Sequence, residues 1–220
     1  MRLKLMAFLS GLVFLTVNVD AKDTALERRV RIASEVVTNR MESPRPIPDS
    51  VVAATKCVAS LKVVKVGFMW GGEGSTGLVS CRTPEGWSAP SFFNVGGVNF
   101  GIQIGVQFIE SVLTFMTNHA REILERGTFE IGADLSFAAG PVGTGGGVGV
   151  IPEAHILNYQ KTVGLYAGAT VGGFILTHDP RRNEAAYGTN IAPYEILATP
   201  GATAPQLVQP FVEVLERHLR

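Results

Sequence analysis

"FMWGGEGSTGLVSCR", Phe68–Arg82, places Gly72, Gly74 and Gly77 at the spacing G-x-G-x-x-G. That spacing marks a dinucleotide-binding turn when a helix follows, because the pyrophosphate rests on the helix N-terminus. Here the chain continues as "LVSCRTPEGW", a short run containing Val79 and Cys81 that ends in the turn residues Pro84, Glu85 and Gly86. That pattern is a strand. No acidic residue follows about twenty residues on in a βαβ setting, and with 25 glycines in the chain the spacing arises readily by chance. The run therefore reads as a glycine-rich connection between two strands, and no nucleotide is expected to bind it.

Outward from this stretch, period-two patterns extend from Val58 to Thr177. Phe129, Ile131, Ala133, Leu135 and Phe137 alternate with polar or small residues, as do Val163, Leu165, Ala167, Ala169 and Val171 with theirs. "GPVGTGGGVG", between these two stretches, reads as a hairpin connection. In "QIGVQFIESVLTFMTNHAREILERG" a strand is predicted to about Met116, then a helix over Asn118–Arg126 ended by Gly127. Helices flank the sheet region. Leu26, Val30, Ala33, Val37 and Met41 form the apolar ladder of an amphipathic helix over 24–41. A short second helix starts at Asp49 or Ser50, either of which can cap it. After Thr177, "DPRRNEAAYG" forms a capped turn or two, and 204–219 a helix that Pro210 can split. The expected fold class is α+β: a glycine-rich antiparallel sheet or barrel with helices at both ends.

Arg2 and Lys4 precede an uncharged run from Leu5 to Val19, and "VDA" at Val19–Ala21 suits a signal peptidase. The expectation is a signal peptide over 1–21 and a single domain over 22–220, exported to the periplasm or secreted. Removing 21 residues leaves 199, with 17 basic against 18 acidic side chains, so the overall field does not suggest a nucleic-acid partner. In an oxidising compartment Cys57 and Cys81 are expected to pair, which stabilises by roughly 3.5 kcal/mol in the chain-entropy model. Two buried free thiols are the alternative, and two cysteines without a histidine pair do not support a metal site.

Several stretches, taken in order, resemble the SYLF family, also called the Ysc84 family, in its exported bacterial members. They are "IPDSVVAATKC" (47–57), "VKVGF" (64–68), "GEGSTG" (72–77), "GWSAP" (86–90), "FGIQIG" (100–105), "AAGPVG" (138–143), "YQKTVGLYAG" (159–168) and "YG" (187–188). The resemblance implies a non-catalytic domain that binds membrane lipids, partly through a basic amphipathic N-terminal helix; some members also bind actin. Glu73 stands where the family's glycine-rich turn has an arginine, and Thr144 follows "GPVG" where an arginine is common. Phosphoinositide specificity is therefore not carried over.

Catalytic signals are sparse. His119, His155, His178 and His218 show no zinc-ligand spacing, and neither a nucleophile elbow nor a Walker loop occurs. Glu130 and Asp134 share the polar face of one strand, and Trp70 and Trp87 flank the glycine run; a solvated face and buried aromatic anchors account for them. No cofactor or metal is expected. The candidate lipid-binding residues are Arg28, Arg29, Arg31 and Arg40 on the first helix, with Lys56, Lys62 and Lys65 after it. A basic helix with an apolar stripe suits an anionic phospholipid surface; equally, the stripe can pack on the sheet with its arginines solvated. The functional expectation is a lipid-binding domain at an anionic membrane surface of the envelope. The alternatives are a protein-interaction or structural module, and an enzyme with a glycine-lined pocket.

Overall fold

The computed structural model describes residues 24–131, 137–139, 155–172 and 174–220. The signal segment, Asp134 and the "GPVGTGGGVG" connection lie outside the described residues.

The first helix, α1 (Ala25–Met41), is opened by a capping box. The Thr24 hydroxyl accepts from the Glu27 N–H at 3.2 Å, and the Glu27 carboxylate accepts from the Thr24 N–H at 2.6 Å. Helix α2 (Asp49–Ala54) follows, with Pro48 at its N-cap and no side-chain cap, so neither Asp49 nor Ser50 caps it as expected. The sheet comprises β1 (Cys57–Thr83), β2 (Gly86–Trp87), β3 (Ser91–Phe115), β4 (Thr128–Ile131), β5 (Phe137–Ala139), β6 (Ile156–Gly172) and β7 (Phe174–His178). Helix α3 (Asn118–Arg126) follows β3 and ends on Gly127, as its sequence requires. Helices α4 (Pro180–Tyr187), α5 (Pro193–Ala198) and α6 (Gln209–His218) close the chain, with two short 3-10 turns before α6.

The strand order is β2-β1-β3-β6-β5, with β7 joining the far half of β3 and β4 pairing with β7. All pairs are antiparallel except β5 with β6. Among the described residues the sheet is open, so of the two forms expected, the sheet is the one observed.

The glycine run is not a connection. Gly72, Gly74 and Gly77 lie inside β1, paired with Val98, Gly96 and Phe93 of β3. Twenty-four residues of extended strand span about 80 Å, yet the Cα atoms of Cys57 and Cys81 are 3.9 Å apart. The β1–β3 hairpin therefore doubles over on itself. Its register shifts between Phe68 and Trp70, and Gly105, opposite Gly67, has φ 131°, a backbone conformation closed to most side chains. Glycine is concentrated here because the ladder must bend while staying paired.

Doubling creates two cores. Between the two arms lie Ala59, Leu61 and Val63 of one arm and Val79, Phe93 and Val95 of the other, plugged by Ile123 and Leu124 of α3. The Cys57–Cys81 disulfide, S–S 2.07 Å, staples the arms there as expected from the sequence. On the outer surface, Val58, Leu78, Phe92, Val112 and Tyr159 meet α1, α2 and α6 in a second core. Trp87 is its largest fully buried side chain; the indole N–H donates to the Leu219 carbonyl at 3.0 Å, and the Arg82 guanidinium sits 4.2 Å over its ring. This is the buried anchor expected of it. The side chain of Trp70 is outside the described residues.

Pro210 does not split the last helix. It occupies the first turn of α6, where its missing N–H costs nothing, and the chain before it adopts the 3-10 turn Gln206–Val208. Helix α5 was not anticipated.

Candidate functional site

The face of the sheet under α1 is banded. Side chains two apart on a strand, and those directly paired across strands, share a face. Nearest α1 is the apolar band of Val112 and Tyr159, on which Ala33, Val36 and Val37 pack. The Ser60 hydroxyl ties this contact by donating to the Ala33 carbonyl at 2.7 Å. Next comes a charged row, Lys62–Glu110–Lys161, one residue from each of β1, β3 and β6 in register. Lys62 Nζ lies 3.2 Å from Glu110 Oε1. Beyond that row the sheet is apolar again and uncovered: Val64 is 39% exposed, Val106 43% and Phe108 46%.

The helix borders this face with cations. Arg29 and Arg40 lie eleven residues apart, three turns, at either end of the buried stripe. Arg29 shares a cavity of about 480 Å³ with Lys62, Val64 and Phe108. Partial burial lowers the pKa of Arg29, with Arg182 acting in the same direction and Asp179 opposing. Arg40 lines a different cavity, at the β6 end, where burial lowers its pKa as well.

The seven basic residues singled out in the sequence are thus divided. Arg29 and Lys62 meet beside the exposed apolar band. Arg28 is exposed. Arg31, also exposed, pairs with Glu35 at 3.0 Å on the side of the helix that faces Glu213 and Arg217 of α6. Lys56 is exposed just before β1, and its backbone is held by Phe115 and Arg82. The side chain of Lys65 is outside the described residues. The apolar stripe of α1 is committed to the core: Val30, Ala33, Val36 and Val37 are at most 4% exposed. It is therefore not available to enter a bilayer while the domain is folded. The uncovered apolar strip beyond the charged row is on β1 and β3, a feature the alternation of "LKVVKV" and "GVQFIE" carries but does not assign to solvent.

Two histidines far apart in sequence, His119 and His155, bring their rings within 5.5 Å. Among the described residues no group of three or more potential metal ligands forms, and no helix is long and apolar enough to cross a membrane.

The doubled sheet thus carries helices on its outer face and between its arms, and leaves an open apolar strip beside Arg29 and Lys62. The Ysc84 family, described as Las17-binding protein actin regulator, matches residues 96–218, and the chain belongs to it. The chain is 32% identical to the SH3 domain-containing YSC84-like protein 1 of Bos taurus over 82% of its own length and 54% of that protein's. It is 33% identical to the Homo sapiens protein of the same name, over 73% of this chain and 48% of that one. To the LAS seventeen-binding protein 3 of Saccharomyces cerevisiae it is 30% identical, over 84% and 42% of the two chains. The chain spans about half the length of the curated relatives it matches. None of these names is that of an enzyme. No solved structure matches the chain.

Proposed function

We propose that this protein is an exported lipid-binding domain that rests its sheet face, rather than its first helix, on an anionic membrane surface. The observation that carries this is the exposed strip of Val64, Val106 and Phe108 bordered by Arg29 and Lys62. Apolar side chains in an aqueous surface favour transfer to the acyl boundary, and each basic residue near an anionic surface adds about 1 kcal/mol. The Cys57–Cys81 bridge supports an oxidising compartment.

The test is flotation with vesicles of neutral phosphatidylcholine and with vesicles containing a third of phosphatidylglycerol. The protein is expected to float with the anionic vesicles, less so as salt rises. Replacing Val106 and Phe108 together by Ser should abolish flotation while leaving the thermal midpoint within a few degrees, since both are exposed. Equal flotation of wild type and variant removes the sheet face as the site.

A second reading is supported by the comparisons. The family is described by Las17 binding, and one relative is named for it. On that reading the same strip docks a protein, and the wild-type chain ignores both kinds of vesicle.

A further inference from the structure

At the other end of α1 lies a cavity of about 380 Å³, made by the helix C-terminus, the turn after it and the neighbouring strands β3 and β6. Three cations line it, Arg40, Arg45 and Lys161, over a floor that includes Val36 and Val112. Tyr159 also lines it, and its hydroxyl is buried with no hydrogen-bond partner, in a residue only 2% exposed. A buried polar atom left unpaired loses its hydration with nothing in return.

The other groups lining the cavity say what is missing. Arg40, Arg45 and Lys161 are donors only, and none of them forms an ion pair among the described residues. Arg40 reaches no closer acceptor than the Arg45 carbonyl, 3.4 Å from Nη1. Its lowered pKa is that of a guanidinium partly stripped of water without an anion in return. Burial pushes the Tyr159 hydroxyl up to about 12, so it is a neutral donor at any ordinary pH. The one carboxylate at the cavity, Glu110, is held by Lys62. A water molecule would satisfy the tyrosine and leave the guanidinia unpaired; an oxyanion satisfies both.

We propose that this cavity binds the phosphate end of a phosphate monoester carried on an apolar body. Three cations match a dianion, Arg40 and Arg45 present fork-shaped donors suited to phosphate oxygens, and the valine floor takes the attached hydrocarbon or aromatic group. The site lies eleven residues along α1 from Arg29, about 16 Å, and does not depend on the sheet face meeting a membrane. The phosphate can belong to a free ester or to a lipid headgroup, two sources that share this chemistry.

Titration calorimetry of the full chain with phenyl phosphate is the test. Saturable binding is expected in the submillimolar range, with inorganic phosphate and hexanoate each at least tenfold weaker because each lacks one half of the match. Tyr159→Phe should weaken phenyl phosphate at least tenfold while the melting temperature stays the same or rises, since the change removes an unpaired buried group. Lys161→Gln, at an exposed position, should weaken it severalfold, and Arg40→Gln should abolish it. Vesicles with phosphatidic acid against phosphatidylglycerol at equal charge then separate the sources. A preference for phosphatidic acid that Tyr159→Phe erases identifies a lipid headgroup; phenyl phosphate binding without that preference identifies a free ester. No saturable binding of phenyl phosphate, binding unchanged in Tyr159→Phe and Arg40→Gln, or hexanoate binding as tightly would each overturn the proposal. None of these outcomes bears on flotation through Val106 and Phe108, so the two readings fail separately.

Discussion

Gly77 shows how much one absent methyl group decides. A Cβ there would fall 2.7 Å from the Ser60 carbonyl oxygen and onto the Leu61 side chain, both on the facing arm of the same strand. Gly77→Val should therefore cost about 3 kcal/mol, at the upper end of overpacking because backbone must move, and a urea unfolding curve will measure it. His178 shapes the pH response. Its Nδ1 accepts from the Asn183 amide at 3.2 Å, and burial lowers its pKa below the usual value against the pull of Asp179. The folded protein thus holds His178 neutral while the unfolded chain protonates near pH 6.5. Stability from this group is complete above that pH and is lost as pH falls toward the lowered folded value. The urea midpoint should drop between pH 7 and 5.5, and the drop should be smaller in His178→Gln. At this scale the sequence displayed the cations but not their partners. Arg40 and Arg45 come from a helix and the turn after it, Tyr159 from a strand more than a hundred residues further on, and nothing local marks the tyrosine as lacking a partner.

Among elements, α1 distinguishes two uses of one amphipathic pattern. Its stripe packs on the sheet and α6, so Val37→Ser should destabilise by about 3 kcal/mol, from lost apolar burial and a hydroxyl placed in an apolar site. Arg28→Glu with Arg31→Glu should shift stability by less than about 1 kcal/mol, because both positions are exposed and the Arg31–Glu35 pair is a surface pair. Thermal unfolding of the two variants makes the comparison. Helix α3 was legible to the residue because Gly127 ends it and its apolar residues repeat at helical spacing. Helix α5 was not, since six residues opened by a proline carry less than two turns of pattern. The glycine run misled for a physical reason: a strand that must bend gives up the side chains whose alternation identifies a strand, and what is left looks like a loop.

For the whole molecule, the disulfide joins two points of one strand rather than two strands. Reduction should lower stability by about 3.5 kcal/mol, the closure entropy of a 24-residue separation, seen as a lower urea midpoint in the presence of a thiol reductant. The inter-arm core is otherwise complete by Leu197. The outer core is not: Phe211, Leu215 and Leu219 fill it beside Val30 and Val37, and the Leu219 carbonyl accepts from both Arg82 and Trp87. Helix α1 is therefore sealed by α6, from the other end of the described residues. Until residue 219 has left the ribosome, the outer core on which α1 packs is incomplete. On the proposal that the chain is exported, that order leaves the outer layer unsealed while the chain threads a translocation pore.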